Sequence, residues 1–201
     1  MRATTRREFI EGPAGRIECA VDLPEGAPSG VAVIAHPHPL HGGTFDNKVV
    51  QTLARAHVER GYAVYRPNFR GVGGSEGVYD EGRGEAEDLA AALAHAIATH
   101  GALRVGLAGF SFGAAMQLKL AARVHPASLV LVGVAVTHFD VPAAPAGTAV
   151  IHGEQDETVP LAAVLDWARP QDQPVIVLPG ADHFFHRRLN ILRALVVQHL
   201  K

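Results

Sequence analysis

The chain has 201 residues, 48% of them hydrophobic and 19% charged, with a formal net charge of −2. That balance is globular rather than disordered, and the length suits a single domain, residues 1–201, with a sizeable core. The near-neutral charge carries no basic stripe, which argues against a nucleic-acid partner, and the one cysteine, Cys19, excludes an intrachain disulfide and a multi-cysteine zinc site. The longest apolar run, Leu129 to Val136, is far short of the roughly 20 residues that span a bilayer. Met1 to Phe9 is Arg-rich but has no apolar stretch behind it, so it does not read as a secretory signal. The expectation is a cytoplasmic protein with no membrane partner.

In chain order, two early strands are predicted near Thr5–Ile10 and Arg16–Leu23, turning at Gly12-Pro13. Further strands follow at Val31–Ala35, Ala63–Pro67, Arg104–Ala108, Leu129–Val134, Ala149–His152 and Val175–Leu178. Most are dense in Val, Ile, Leu and Ala, as strands buried on both faces are. Helices are predicted between them at Asn47–Arg60, Gly84–His100, Phe112–Val124, Pro160–Ala168 and His183–His199. The third has so little polarity that it should lie on the sheet. This alternation predicts an α/β fold with a mostly parallel sheet. Eight strands and five helices leave no length for a separate cap domain.

The strand Arg104–Ala108 runs into Gly109-Phe110-Ser111-Phe112-Gly113, and a helix follows. A serine at such a junction sits on a sharp, strained turn that lifts its hydroxyl above the sheet. Glycines on either side remove side chains that would collide there. The helix behind Ser111 turns its positive end towards a developing oxyanion.

A hydroxyl becomes a nucleophile when a base takes its proton. Of twelve histidines, His183 follows the last predicted strand in a loop that can return over the sheet. His186 is the rival, placed where helix is already predicted. Asp156, in the turn after Ala149–His152, is the candidate acid at the strand edge where open α/β sheets place their sites. Asp140 is the rival acid, Glu154 and Glu157 are near neighbours, and Asp182 adjoins His183 too closely to face its ring.

Strand Val31–Ala35 ends in His36-Pro37-His38-Pro39-Leu40-His41-Gly42-Gly43-Thr44. Three histidines invite a metal reading, but two prolines stiffen the loop and no acidic ligand lies within it. The better reading is an oxyanion loop. Pro37 and Pro39 lack an N–H, so the backbone N–H of His38 is the candidate donor beside that of Phe112. His36 reads as a packed residue beneath the loop. The glycine-rich Asn68–Gly77 matches no phosphate-binding spacing and reads as a structural loop, with Arg70 as a buttress. Cys19 reads as core.

The segments His36–Thr44, Asp46–Val50, Arg66–Gly77, Gly109–Gly113, His152–Asp156 and Asp182–Phe185 together resemble the α/β-hydrolase superfamily. More narrowly they resemble its small lidless bacterial members with a His-Pro-His-Pro loop. The likeness covers Val31 to the end of the chain, and the two early strands fit it. It implies an eight-stranded, mostly parallel sheet flanked by helices without a cap. It also implies a triad of Ser111, Asp156 and His183 and hydrolysis, typically of esters. The superfamily also hosts thioesterases, peptidases, lyases and inactive relatives, so fold does not settle substrate.

The resulting expectation is a serine hydrolase acting on a small acyl ester or thioester, with no cofactor and no metal. The alternative is an idle α/β-hydrolase-fold binding or scaffolding protein. The segment Thr137–Gly147 is too short for a cap, so Ser111 should open into a shallow groove rimmed by that segment, Leu40 and Phe184.

Overall fold

The computed structural model describes residues 4–101 and 103–200. Strands β1 (Thr4–Gly12) and β2 (Gly15–Leu23) form a hairpin, registered from Thr4 opposite Leu23 to Gly12 opposite Gly15. There follow β3 (Gly30–Ala35), α1 (Lys48–Glu59), β4 (Tyr62–Pro67), α2 (Gly84–His100), β5 (Arg104–Phe110) and α3 (Phe112–Val124). The chain continues through β6 (Ser128–Val132), β7 (Ala149–Gly153), α4 (Leu161–Ala168), β8 (Val175–Leu178) and α5 (Leu189–His199).

The eight strands make one sheet in the order β1-β2-β4-β3-β5-β6-β7-β8. The β1/β2 and β2/β4 pairs are antiparallel and the others parallel. This is the mostly parallel, helix-flanked sheet that the sequence pattern implied. Successive strand side chains point to opposite faces. Val31, Val33, Leu107, Leu131 and Val150 therefore join the core under α2, α3 and α4, while Ala32, Ile34, Ala108, Val130 and Ile151 join the core under α1 and α5. The apolar α3 is buried along most of its length. Its one buried amide, Gln117, donates from Nε2 to the carbonyls of Val33 (2.9 Å) and Ala108 (3.0 Å), pinning the helix to β3 and β5.

Several ends shift by one or two residues, β1 running on to Gly12 and β5 to Phe110, and two further departures matter for the site. β6 ends at Val132 rather than Val134, because Gly133 turns the chain with φ 54°. From there to Thr148 no helix or strand forms among the described residues. α5 starts at Leu189, not at His183. Phe185 (φ 55°) and Arg187 (φ 60°) take left-handed conformations that a helix cannot contain. The Asp182 carboxylate accepts the His186 N–H at 3.0 Å and pairs with its Nδ1 at 2.6 Å. His186 is thus in an exposed turn rather than a helix. Among the described residues, no helix is long and apolar enough to cross a membrane.

Candidate active site

β5 delivers the chain to Ser111 and α3 carries it away one residue later. Ser111 has φ 56° and ψ −117°, a strained conformation that persists only where its surroundings impose it. Its N–H donates to the Val132 carbonyl at 2.9 Å, and its carbonyl accepts from Ala114, Ala115 and Ala135. The flanking glycines are steric necessities. A Cβ at Gly109 would stand 2.5 Å from the Gly113 carbonyl, and one at Gly113 would stand 2.5 Å from the carbonyl oxygens of Ala35 and His36. The elbow is therefore wedged between the ends of β3 and β6. As the first residue of α3, Phe112 has an N–H with no carbonyl one turn earlier in the helix to accept it.

Asp156 and His183 meet at the far side of this elbow. His183 Nδ1 lies 2.6 Å from Asp156 Oδ2, and both residues are buried. Asp156 Oδ1 accepts the N–H groups of Thr158 (2.9 Å) and Val159 (2.7 Å). The carboxylate is thus aimed by its own turn. Loops from β7 and β8 are laced together behind it. Glu154 N–H donates to the Leu178 carbonyl and Gln155 N–H to that of Ala181. At Gly153 the approach is so close that a Cβ would come within 2.5 Å of the Ala181 carbonyl oxygen.

The His183 ring packs on Phe110, the residue before Ser111, with centroids 4.8 Å apart. A Cβ at Gly133, which follows the residue that accepts the Ser111 N–H, would come within 3.3 Å of the ring. Among the described residues, no hydrogen bond joins the Ser111 hydroxyl to the ring. The rivals lie elsewhere: Asp140, Glu154 and Glu157 are exposed, and Asp182 is engaged by His186.

The loop after β3 is held by its own hydrogen bonds and by bonds to Phe69 and Tyr79. His36 is fully buried; its Nδ1 donates to the Pro37 carbonyl (2.6 Å) and its Nε2 accepts the Phe69 N–H (3.0 Å). Burial lowers its pKa to about 4, so the ring is neutral. The His38 carbonyl accepts the N–H groups of His41 and Gly43, both at 3.1 Å. Its Nδ1 accepts the Leu40 N–H at 3.2 Å, which places the neutral ring's proton on Nε2, 3.3 Å from the Tyr79 hydroxyl. Partial burial, with His41 and His138 nearby, lowers the His38 pKa. The His38 N–H itself has no acceptor among the described residues.

Residues 14–141 match the family model described as X-Pro dipeptidyl-peptidase (S15 family). The chain belongs to the S15 family of the α/β serine hydrolases. It is similar to XC6422 from Xanthomonas campestris, described as an α/β serine hydrolase without lid. The two share 36% identity over 100% of this chain and 95% of that one, with a TM-score of 0.91. An α/β serine hydrolase homologue from Coxiella burnetii is 42% identical over 98% and 97% of the two chains, with a TM-score of 0.89. RP471 of Rickettsia prowazekii is 41% identical over 116 residues, which is 57% of this chain and 49% of that protein. The chain thus spans about half the length of this curated relative.

The stretch that matches the S15 family holds Ser111 and the loop at His38, while Asp156 and His183 lie beyond it. Leu40, two residues after His38, and Phe184, which follows His183 and packs on its ring, are exposed at 66% and 46%. Leu40 and Phe184 were expected at the rim. Arg70 binds Asp88 through Nε and Nη2 and the Gly84 carbonyl through Nη2. It therefore buttresses Asn68–Gly77 against α2. Cys19 is fully buried in β2, and burial raises its thiol pKa. The amides that hold Asp156 were legible in principle, since an aspartate two and three residues before backbone donors is a common turn device.

Proposed function

We propose that the chain is a serine hydrolase that cleaves a small acyl ester or thioester through Ser111, His183 and Asp156. The observation that carries this reading is the buried 2.6 Å His183–Asp156 pair beside a serine held at φ 56°. Ser111 Oγ attacks the acyl carbonyl while His183 Nε2 takes the hydroxyl proton. Asp156 holds Nδ1–H and stabilises the imidazolium. The tetrahedral oxyanion is met by the N–H groups of Phe112 and His38. As the carbonyl re-forms, the C–O or C–S bond breaks and His183 returns the proton to the leaving group. Water, deprotonated by the same ring, then releases the acid and frees Ser111.

No cofactor or metal takes part in this scheme. In the observed loop, the ring nitrogens of His36 and the Nδ1 of His38 are engaged in hydrogen bonds. Exposed Leu40 and Phe184, close in sequence to His38 and His183, favour a short apolar acyl group, while Ser111 itself, expected to open to solvent, is buried at 7% exposure. A fluorophosphonate probe tests the reading: wild type should be labelled at Ser111, and Ser111→Ala should not. A panel of p-nitrophenyl esters, acyl thioesters and dipeptidyl-proline amides then separates esterase, thioesterase and peptidase. Failure to label the folded wild type would leave the idle binding protein as the better account.

A further inference from the structure

Behind Asp156 lies a second buried histidine that the proposed chemistry does not use. His152 is the fourth residue of β7 and is fully buried. Its Nε2 stands 2.9 Å from the Val159 carbonyl oxygen. A carbonyl can only accept, so the proton of the neutral ring is on Nε2. Nδ1 is left as a buried lone pair with no partner among the described residues. Burial works against a second proton, lowering the ring's pKa. A buried acceptor without a donor costs stability, and an apolar side chain of similar size would avoid that cost.

The Nε2–H end explains what the ring supplies. Val159 is gripped twice: its N–H donates to Asp156 Oδ1 at 2.7 Å, and its carbonyl accepts from His152. The same Nε2 lies 3.5 Å from Asp156 Oδ2, the oxygen that faces His183. The ring thus ties down the peptide that aims the carboxylate, and its positive N–H edge faces the working oxygen. An uncharged donor suits this place, because a full cation would compete with His183 for Oδ2.

We infer that His152 is a positioning residue: through its Nε2–H it locks the Asp156–Val159 turn so that Oδ2 stays on His183 Nδ1. The inference rests on the proposed role of that pair. Glutamine and asparagine separate a hydrogen-bond role from mere bulk. The Gln amide nitrogen reaches about as far as Nε2, and that of Asn stops near Nδ1. His152→Gln should keep the low-field proton resonance of His183 Nδ1–H and most of the activity. His152→Asn should move or broaden that resonance and lower kcat by about 10- to 100-fold, with KM little changed, as expected for a misplaced catalytic group.

Should the Asn variant fail to fold, His152→Leu, which keeps bulk and removes both nitrogens, is read in the same way. Asn or Leu variants that match wild type in both resonance and kcat would overturn the inference. The resonance is read without turnover. A wild type that resists the fluorophosphonate would therefore count against the hydrolase reading alone, and an unmoved resonance in a labelled, active enzyme would count against His152 alone.

Discussion

His36 and His183 both follow strands of one sheet, and both are nearly inaccessible, at 0% and 5% exposure. Their partners differ. His36 holds a carbonyl and an amide, which use both ring nitrogens and leave the ring neutral and inert. His183 pairs its Nδ1 with a carboxylate, which in the proposed scheme leaves Nε2 for chemistry. Burial makes one histidine structural. Burial beside an aimed carboxylate makes the other a candidate base.

The largest test of this contrast removes the hydroxyl that the proposed scheme has His183 activate. Ser111→Ala should lower kcat by roughly 10⁶-fold, because triad members act as a unit. Its thermal midpoint should stay close to wild type. A variant with near wild-type turnover on every ester would remove the chemical role from this side of the sheet.

The second test alters the partner that separates the two rings. Asp156→Asn should cost about 10⁴-fold in kcat, because an amide favours the wrong tautomer of His183. Asp140→Asn, at an exposed position, should stay within about twofold, as surface changes usually do. Steady-state kinetics on one ester decides between them. Greater damage at Asp140 would place the acid one strand earlier.

The third test concerns the inert histidines. His36 and the buried His57 of α1 have pKa values lowered to about 4 by burial. In the unfolded chain each returns to about 6.5. Between these values the unfolded state binds protons that the folded state refuses. Stability is therefore complete above about pH 6.5 and falls towards pH 4, by on the order of 3 kcal/mol for each ring. Urea unfolding across this range measures the loss. His57 Nε2 has no hydrogen-bond partner among the described residues, so His57→Leu should flatten the pH dependence by about one proton. An unchanged slope would show that the ring is protonated in the fold.

The smallest expected effect concerns the exposed apolar side chains near His38 and His183. Each methylene that reaches Leu40 or Phe184 should add at most about 0.8 kcal/mol to kcat/KM. The gain should stop once the acyl chain extends past them. Esters from acetyl to palmitoyl, assayed above and below micelle formation, should peak at short chains with no jump at the micelle. A steady rise to palmitoyl would require a deep tunnel.

Much of this protein was legible locally. The alternation of strands and helices, the full span of α2 and α3, and the elbow at Ser111 follow from apolar periodicity and glycine sterics. These act over a few residues. His36 as a packed residue and Arg70 as a buttress were also readable, although their partners, Phe69 and Asp88, were not. The start of α5 was misplaced because the turn at Asp182–Arg188 depends on one side chain and two left-handed residues. Helical periodicity cannot register either feature.

By itself, then, the sequence determined the fold class, the strained serine and a short list of bases and acids. The sequence also singled out His183 and Asp156 as partners; the tertiary structure shows them 2.6 Å apart, and only it decided that His186 is taken by Asp182 and that His152 stands behind the acid. The physical reason is that a hydrogen bond extends about 3 Å. Which donors come that close depends on how the loops of β7 and β8 lie against each other, and no pattern along one strand records that.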